Sequence, residues 1–181
     1  IGGFVIPGGV SGSTLWYRSD IGVTNNSGVQ QWNNQVSSNY NLLQGTAGAR
    51  PAFNTSANLI NFNPTVGFDG SNDFLQTTSM PLNVTLGASN ETSQYVVYRR
   101  TTASPMLYHH SNNLGGVFNI GARDNYMLAA GRNSTISPAA NGDIRMQSLQ
   151  GSASGTVLTR INGTSASTSW TGASAVNAGT Q

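Results

Sequence analysis

Cysteine is absent from this 181-residue chain, and charged side chains are scarce. Without cysteine there are no disulfides, no thiolate metal site and no cysteine nucleophile. Charged residues make up 8% of the sequence, against about 25% in a typical soluble domain. All eight basic residues are arginine, which excludes a phosphate-binding loop with its lysine. Because eight scattered arginines give only a weak electrostatic footprint, we expect no nucleic-acid partner.

Helical and membrane proteins need sequence features that are also missing here. Helical bundles and coiled coils draw on Glu, Lys, Ala and Leu, whereas this chain has no lysine and one glutamate. No apolar run approaches the ~20 residues that span a bilayer as a helix. The 22 glycines show no period of three, which excludes collagen. We therefore predict neither a helical fold nor a membrane-spanning segment.

The sequence does contain short apolar or alternating runs separated by Gly, Asn, Asp and Pro, a pattern typical of an all-β sandwich or barrel. Residues 14–18 are the first candidate strand. The run 93–100 predicts the strongest strand, and its Tyr and Val density favours burial on both faces. Asn162-Gly163 predicts a tight hairpin, because both turn positions need a positive φ. Further strands are expected at 105–110, 116–121, 126–130, 144–149 and 156–161.

Three sequence patches together resemble one family. The first comprises 7–10, 15–23 and 29–35, the second runs from 50–53 to 66–75, and the third joins the strand at 95–98 to the hairpin at 161–163. The most specific of them reads Phe-Asp-Gly-Ser-Asn-Asp-Phe-Leu. The chain resembles the concanavalin A-like lectin/glucanase superfamily in its laminin-G-like branch. More narrowly, it resembles the domain of large surface proteins exported by the type IX secretion system of gliding bacteria.

The resemblance implies an all-β fold, an antiparallel β-sandwich of the jelly-roll type, formed by one domain over residues 1–181. Family members usually finish with a last apolar strand beside the N-terminal strand, but residues 173–181 are Ser-, Ala- and Gly-rich. We therefore expect a jelly roll that lacks its closing strand, in a fragment of a longer secreted polypeptide. A strand from another chain that completes the sheet is one expected partner.

The resemblance also implies a function. The first hypothesis is a non-catalytic adhesion domain, related to gliding motility, on the outer face of the outer membrane. Its expected partners are surface or extracellular glycans and proteins, and secretion-system components during export. The alternative is a carbohydrate-binding, lectin-like module of a secreted polysaccharide-processing protein, with calcium assisting the contact.

Hydrolysis is disfavoured, although the superfamily includes glycoside hydrolases. Retaining glycosidases need two carboxylates about 5–5.5 Å apart, which this fold usually supplies as closely spaced acids on one strand. Glu91 has no acid two or four residues away, and Asp69 and Asp73 flank a glycine turn. No Gly-x-Ser-x-Gly elbow indicates a serine hydrolase. We therefore expect no catalytic activity and name no catalytic residue.

Asp69, Asn72 and Asp73 are the candidate metal ligands, because calcium prefers carboxylate and amide oxygens. The preferred interpretation is that both carboxylates accept hydrogen bonds from the turn's own backbone. We therefore expect no cofactor, with calcium at this turn as the alternative.

Three residues are candidate ligand contacts: Trp170, Arg99 and Arg123. Trp170 lies in a polar stretch where its ring is expected to be exposed. Arg99 lies near the end of the predicted strand 93–100, and Arg123 lies between two predicted strands. The alternative for the arginines is a solvated strand end. For Trp16 and Trp32, which fall within the family-like patches, core packing is preferred over sugar stacking.

Overall fold

The computed structural model describes residues 12–77, 92–101, 106–111, 119–123, 126–129, 132–135, 140–151 and 157–168. The chain divides into two compact units, residues 1–82 and 83–181. The strands are all antiparallel within their sheets, which confirms the predicted all-β class. Whether residues 1–181 form one jelly roll stays a prediction. The expected lack of a closing strand concerns residues 173–181, which lie outside the described residues.

In the part of unit 1 that the structure describes, residues 12–77, there are one three-stranded and one two-stranded sheet. The three-stranded sheet has the order β1-β2-β3, with β1 at Val23–Asn25, β2 at Val29–Trp32 and β3 at Leu42–Leu43. The two-stranded sheet pairs β4 at Ala52–Asn54 with β5 at Thr65–Gly67. Two single-turn 3-10 helices, Ser38–Tyr40 and Ala47–Ala49, connect these strands. Within the described residues of the whole chain, no helix is long and apolar enough to cross a membrane.

Buried amide side chains organise unit 1. Asn34 is 5% exposed; its Oδ1 accepts the Trp16 backbone N–H at 2.8 Å and the Val36 N–H at 3.2 Å. Its Nδ2 donates to the Thr14 carbonyl at 3.0 Å. The Asn34 backbone N–H in turn donates to Asn41 Oδ1 at 3.0 Å. One amide therefore supplies the bonds that a neighbouring strand would otherwise provide to the segment at residues 14–16.

This amide explains why the predicted strand at 14–18 is wrong. Residues 14–17 belong to no strand, and Arg18 makes only an isolated bridge to Ile21. The Trp16 N–H is taken by the Asn34 side chain, while the Trp16 carbonyl accepts from the Gln35 N–H at 2.8 Å. Because side chains and loops already satisfy the hydrogen-bonding groups of this backbone, the segment does not have to pair with another strand.

A second set of bonds joins the loops of unit 1 through Arg50. Its guanidinium group donates to three backbone carbonyls: Nη1 to Asn26 at 2.5 Å, Nε to Gln44 at 3.0 Å and Nη2 to Gly45 at 2.9 Å. The adjacent Pro51 accepts the Val29 N–H at 2.8 Å. Five donors in a fixed fork allow one arginine to hold several loops at once.

Among its described residues, unit 2 holds two four-stranded sheets. One has the order β13-β12-β11-β6 and the other β10-β9-β8-β7. The strands of the first sheet are β6 at Thr92–Arg99, β11 at Ile144–Gly151, β12 at Val157–Ile161 and β13 at Thr164–Thr168. The strands of the second are β7 at Met106–Ser111, β8 at Asn119–Arg123, β9 at Tyr126–Ala129 and β10 at Arg132–Thr135. β6 therefore pairs with a strand far along the chain, β11, over eight residue pairs without a bulge.

The predicted Asn162-Gly163 hairpin is confirmed. Ile161 pairs with Thr164, so the loop between β12 and β13 contains two residues. Both have positive φ values, 49° for Asn162 and 82° for Gly163, as a type I′ turn requires. The Asn162 side chain also accepts the Met146 N–H at 2.8 Å, which ties the turn to β11.

Candidate functional site

The β13-β12-β11-β6 sheet has one buried and one exposed face. Successive side chains on a strand point to opposite faces, and the register assigns Gln147, Leu149 and Thr159 to one face, on which each is 0% exposed. On the other face Tyr95 is 62% exposed and Val97 is 57% exposed. The expectation that the β6 region is buried on both faces is therefore wrong. The Tyr and Val side chains of β6 are therefore divided between a buried and an exposed face of the sheet.

The exposed surface is called the Tyr95 face below. It comprises Tyr95, Val97 and Arg99 of β6, Ile144, Met146 and Gln150 of β11, and Leu158 and Arg160 of β12. Ser148 of β11 lies on the same face but is only 4% exposed. One part is apolar: Val97 lies directly opposite Met146, and Ile144 is the next residue of β11 on this face. Ile144 is 43% exposed and Met146 is 41% exposed. Apolar side chains grouped on an accessible sheet face mark a contact surface more often than singly exposed ones do.

The other part of the Tyr95 face is polar and crosses three strands. Arg160 donates through Nη1 to Gln150 Oε1. Gln150 Nε2 lies 3.5 Å from the Tyr95 hydroxyl oxygen. The register makes these residues diagonal neighbours, since Ser148 lies opposite both Tyr95 and Arg160, and diagonal neighbours are within reach of long side chains. An aromatic ring, an amide and a guanidinium group are therefore aligned in one row.

The sequence-predicted ligand residues fall in different places. Arg99 lies on the Tyr95 face, opposite Ile144 and beside the apolar part. Arg123 ends β8 in the other sheet, opposite Met106 and Tyr126, and its side chain lies outside what the structure describes. Trp170 also lies outside the described residues. The structure therefore places two of the three candidates in separate sheets and does not bring them together.

Sequence reasoning missed Tyr95, Gln150 and Arg160. For Tyr95 a signal existed, because Tyr95, Val97 and Arg99 alternate with Gln94, Val96 and Tyr98 along the strand. For the other two there was none, because their proximity depends on which strands pair.

Asp69, Asn72 and Asp73 are close together, and their polar atoms are used by the turn. Asp69 Oδ1 accepts the backbone N–H groups of Ser71 at 2.8 Å, Asn72 at 3.2 Å and Asp73 at 3.3 Å. Asp73 Oδ2 accepts the Asp69 N–H at 2.9 Å. The Asn72 side chain donates to the Gly48 carbonyl at 2.8 Å. This geometry favours the turn interpretation, and calcium binding here stays a prediction.

No wider metal-binding cluster surrounds this turn among the residues that the structure describes. Within the described residues, no three His, Cys, Asp or Glu side chains are grouped closely enough to hold a metal ion. Calcium takes six to eight oxygen ligands, so a site here would have to draw on backbone carbonyls and water as well.

Acid is expected to weaken the Asp69 turn. Backbone N–H groups, that of Ser71 first, hold the pKa of the Asp69 carboxyl below its ordinary value of 3.8. A carboxyl with a lower pKa in the folded state contributes stability that is present above the unfolded-state value and is lost as the pH falls through the folded-state value. The thermal midpoint should therefore drop below about pH 4, and drop less in Asp69→Asn, whose amide does not titrate.

Circular dichroism melts of both proteins from about pH 6 to about pH 2 measure this difference. Both proteins carry the same other carboxyls, so the difference between the two curves isolates Asp69. Parallel curves would contradict the assigned bonds.

Three aromatic residues of unit 1, Trp16, Tyr17 and Trp32, make ring or hydrogen-bond contacts with neighbouring residues. The rings of Tyr17 and Trp32 lie 5.8 Å apart between centroids at an angle of 58°, and the Arg18 guanidinium lies 5.3 Å from the Trp16 ring centroid. The Trp32 indole donates to the Arg18 carbonyl at 2.7 Å, and the Tyr17 hydroxyl donates to the Tyr40 carbonyl at 2.5 Å. Burial raises the pKa of Tyr17 to about 12. These contacts favour packing over sugar stacking for both tryptophans.

In comparisons with known proteins, no family model, no curated protein and no solved structure matches the chain.

Proposed function

We propose that this chain is a non-catalytic adhesion domain of a large exported bacterial surface protein. In this proposal it is a concanavalin A-like jelly roll displayed on the outer face of the outer membrane, and its role is related to gliding motility. The Tyr95 face is the observation that carries the proposal. It presents Tyr95 at 62% exposure and Val97 at 57% exposure on a regular sheet, with Arg99 beside them. Aromatic residues and arginine are the types most enriched at protein contacts.

The carboxylates of the described residues support the non-catalytic part of the proposal. Asp20 is paired with Arg18 at 2.5 Å, and the Arg18 hydrogen bond lowers the pKa of the Asp20 carboxyl. Asp69 and Asp73 accept bonds within their turn. Asp143 accepts the Ala140 N–H at 2.9 Å. General acid catalysis by a carboxyl at neutral pH needs a raised pKa, whereas the pKa values of Asp20 and Asp69 are lowered.

The second candidate function is a glycan-binding, lectin-like module. The row of Tyr95, Gln150 and Arg160 favours it, because an exposed ring can stack on a sugar while planar amide and guanidinium groups hydrogen-bond to hydroxyls. Gln150 and Arg160 are already bonded to each other, so less conformational entropy is lost on binding. This face would accept neutral or acidic glycans, since Arg160 can also pair with a carboxylate.

Substituting Tyr95 with alanine is expected to reduce retention of the full chain on its targets by about tenfold or more, the effect typical of a central aromatic contact. The measurement is binding of the labelled chain to an array of polysaccharides and extracellular proteins. Arg160→Gln separates the two candidates: it should weaken glycan binding and leave adhesion through the apolar part nearly unchanged. Phe68→Ala, which removes a 44% exposed ring from unit 1, is the matched control.

Calcium is tested on the same array with calcium chloride and with a chelator. Loss of glycan binding in the chelator, reproduced by Asp69→Ala, would assign calcium to the Asp69 turn. Full retention of Tyr95→Ala on every target would contradict the proposal.

A further inference from the structure

The Tyr95 face carries positive charge. Two of its residues are arginines, Arg99 and Arg160, and the strands β6, β11, β12 and β13 contain no aspartate or glutamate. Two acids flank these strands in the sequence. Asp143 precedes β11, and its Oδ2 accepts the Ala140 N–H at 2.9 Å; Glu91 precedes β6 and lies outside the described residues. The sheet itself therefore presents a net positive charge on this face.

A second copy of the chain is a poor occupant of the Tyr95 face. Two copies placed face to face would bring Arg99 and Arg160 of each against the same arginines of the other. Like charges across an interface disfavour a complex. The rest of unit 2 does not reverse the sign, since residues 83–181 contain six arginines and three acidic residues. The occupant that complements this face therefore carries negative charge.

The occupant must also cover aliphatic side chains. Val97 lies opposite Met146, Ile144 lies opposite Arg99, and all three apolar side chains are exposed. An acidic polysaccharide or a nucleic acid could neutralise Arg99, but neither has an aliphatic side chain to place on Val97 and Met146. A polypeptide supplies both groups, and the removal of apolar surface from water then adds to the attraction between charges.

The spacing along β6 specifies how the partner's side chains are arranged. Tyr95, Val97 and Arg99 follow one another on the same face of the strand, so neighbouring members are about 6.6 Å apart along it. An extended segment has the same repeat, because its alternate side chains point to one side. A segment that lies over β6 with the pattern apolar-x-apolar-x-acidic therefore places apolar side chains at Tyr95 and Val97 and a carboxylate at Arg99.

We propose that the partner of the Tyr95 face is an extended acidic polypeptide segment with the pattern apolar-x-apolar-x-acidic. This proposal rests on the proposed function, because it names the partner of the same contact surface. The Arg99 guanidinium forms a charge-assisted pair with the carboxylate, and Val97 and Met146 cover the apolar side chain beside it. One short segment binds weakly, so strong retention comes from many segments displayed on one surface.

The test measures binding of the full chain to fluorescein-labelled peptides by fluorescence anisotropy. The probe is the blocked peptide Gly-Ser-Leu-Thr-Leu-Thr-Glu-Ser-Gly, and the matched probe has Gln in place of Glu. We expect the Glu peptide to bind about threefold more tightly than the Gln peptide at low salt, and the difference to shrink as salt is added. A third peptide exchanges Glu with the preceding Thr. It points its carboxylate to the opposite side and should bind as the Gln peptide does.

Matched variants of the chain locate the carboxylate. Arg99→Gln should weaken binding of the Glu peptide by about threefold and leave the Gln peptide nearly unchanged, so that the two changes do not add. Arg160→Gln removes the same charge from β12 and should leave the ratio between the two peptides unchanged. Val97→Thr keeps the shape of the side chain and should weaken both peptides. Circular dichroism melts check that each variant is folded, and the comparison of peptides on the unmodified chain depends on no variant.

The acidic partner and the adhesion surface fail in different ways. If Tyr95→Ala lowers retention on the array while the Glu and Gln peptides bind equally, the adhesion surface remains and the acidic partner is wrong. If Tyr95→Ala is fully retained on every target, both are wrong. The acidic partner is also overturned if neither peptide binds, if polygalacturonate binds through Arg99 more tightly than the Glu peptide, or if sedimentation shows a dimer that Val97→Thr dissociates.

Discussion

Replacing Asn34 with alanine should lower the free energy of unfolding by about 2–4 kcal/mol, because it leaves partly buried backbone groups without partners. The substitution removes the acceptor of the Trp16 and Val36 N–H groups and the donor to the Thr14 carbonyl. Each orphaned group keeps the cost of its desolvation and loses the bond that compensated for it. Chemical denaturation of the full chain, followed by tryptophan fluorescence, measures the loss.

Two further variants make the Asn34 result specific. Asp in place of Asn34 keeps an acceptor for Trp16 and Val36 but removes the donor to Thr14 and buries a charge, so it should also destabilise the chain. Asn39→Ala removes an exposed amide and should change stability by less than about 0.5 kcal/mol. Equal stabilities of Asn34→Ala and Asn39→Ala would show that the Asn34 bonds contribute nothing.

A methyl group at Gly28 should be as damaging, at about 3 kcal/mol, through two separate causes. The first is conformational, because Gly28 has a φ of 102°, which residues with a Cβ rarely adopt. The second is steric, because an added Cβ would lie 2.6 Å from Arg50 Cβ, 3.1 Å from the Arg50 carbonyl oxygen and 3.2 Å from that of Pro51. Two of these neighbours are backbone atoms, so relief would require the loop held by the Arg50 guanidinium to move.

Gly142→Ala separates the two causes. Gly142 has a φ of 91°, close to that of Gly28, but nothing lies within 4 Å of its added Cβ. This variant should therefore cost only the conformational part, about 1 kcal/mol. The free energies of unfolding of both variants, measured by denaturant titration, give the steric part by difference. A Gly28→Ala loss no larger than that of Gly142→Ala would mean that the loop yields freely.

Local signals in the sequence were sufficient to predict much of the strand structure of unit 2. Asn162-Gly163 predicted its hairpin because a two-residue turn depends on the residues within it. The run at 144–149 became β11 because alternation over a short window is also local. The failures involve distant partners. No feature of residues 14–18 predicts that the Trp16 N–H donates to the Asn34 side chain, which lies about eighteen positions later in the chain.

The candidate site was harder to predict than the fold. Arg99 was named for its position at a strand end, and the structure adds that it shares a face with Tyr95. Gln150 and Arg160 meet only because β11 lies between β6 and β12, which is a fact of topology. Asn61 and Phe62 occupy a turn with positive φ at both positions, and its usual signal, Asn-Gly, is absent, so the local sequence does not predict it.

The amide bonds within unit 1 also determine how it responds to its surroundings. Dissolved salt screens pairs of charges over about 8 Å at physiological ionic strength. The bonds of Asn34 and Gln44 join neutral amides to neutral backbone groups, among them the Phe74 carbonyl, and are not weakened in this way. Unit 1 can therefore keep these bonds unchanged from dilute to concentrated salt, a tolerance that proteins held together by ion pairs do not share.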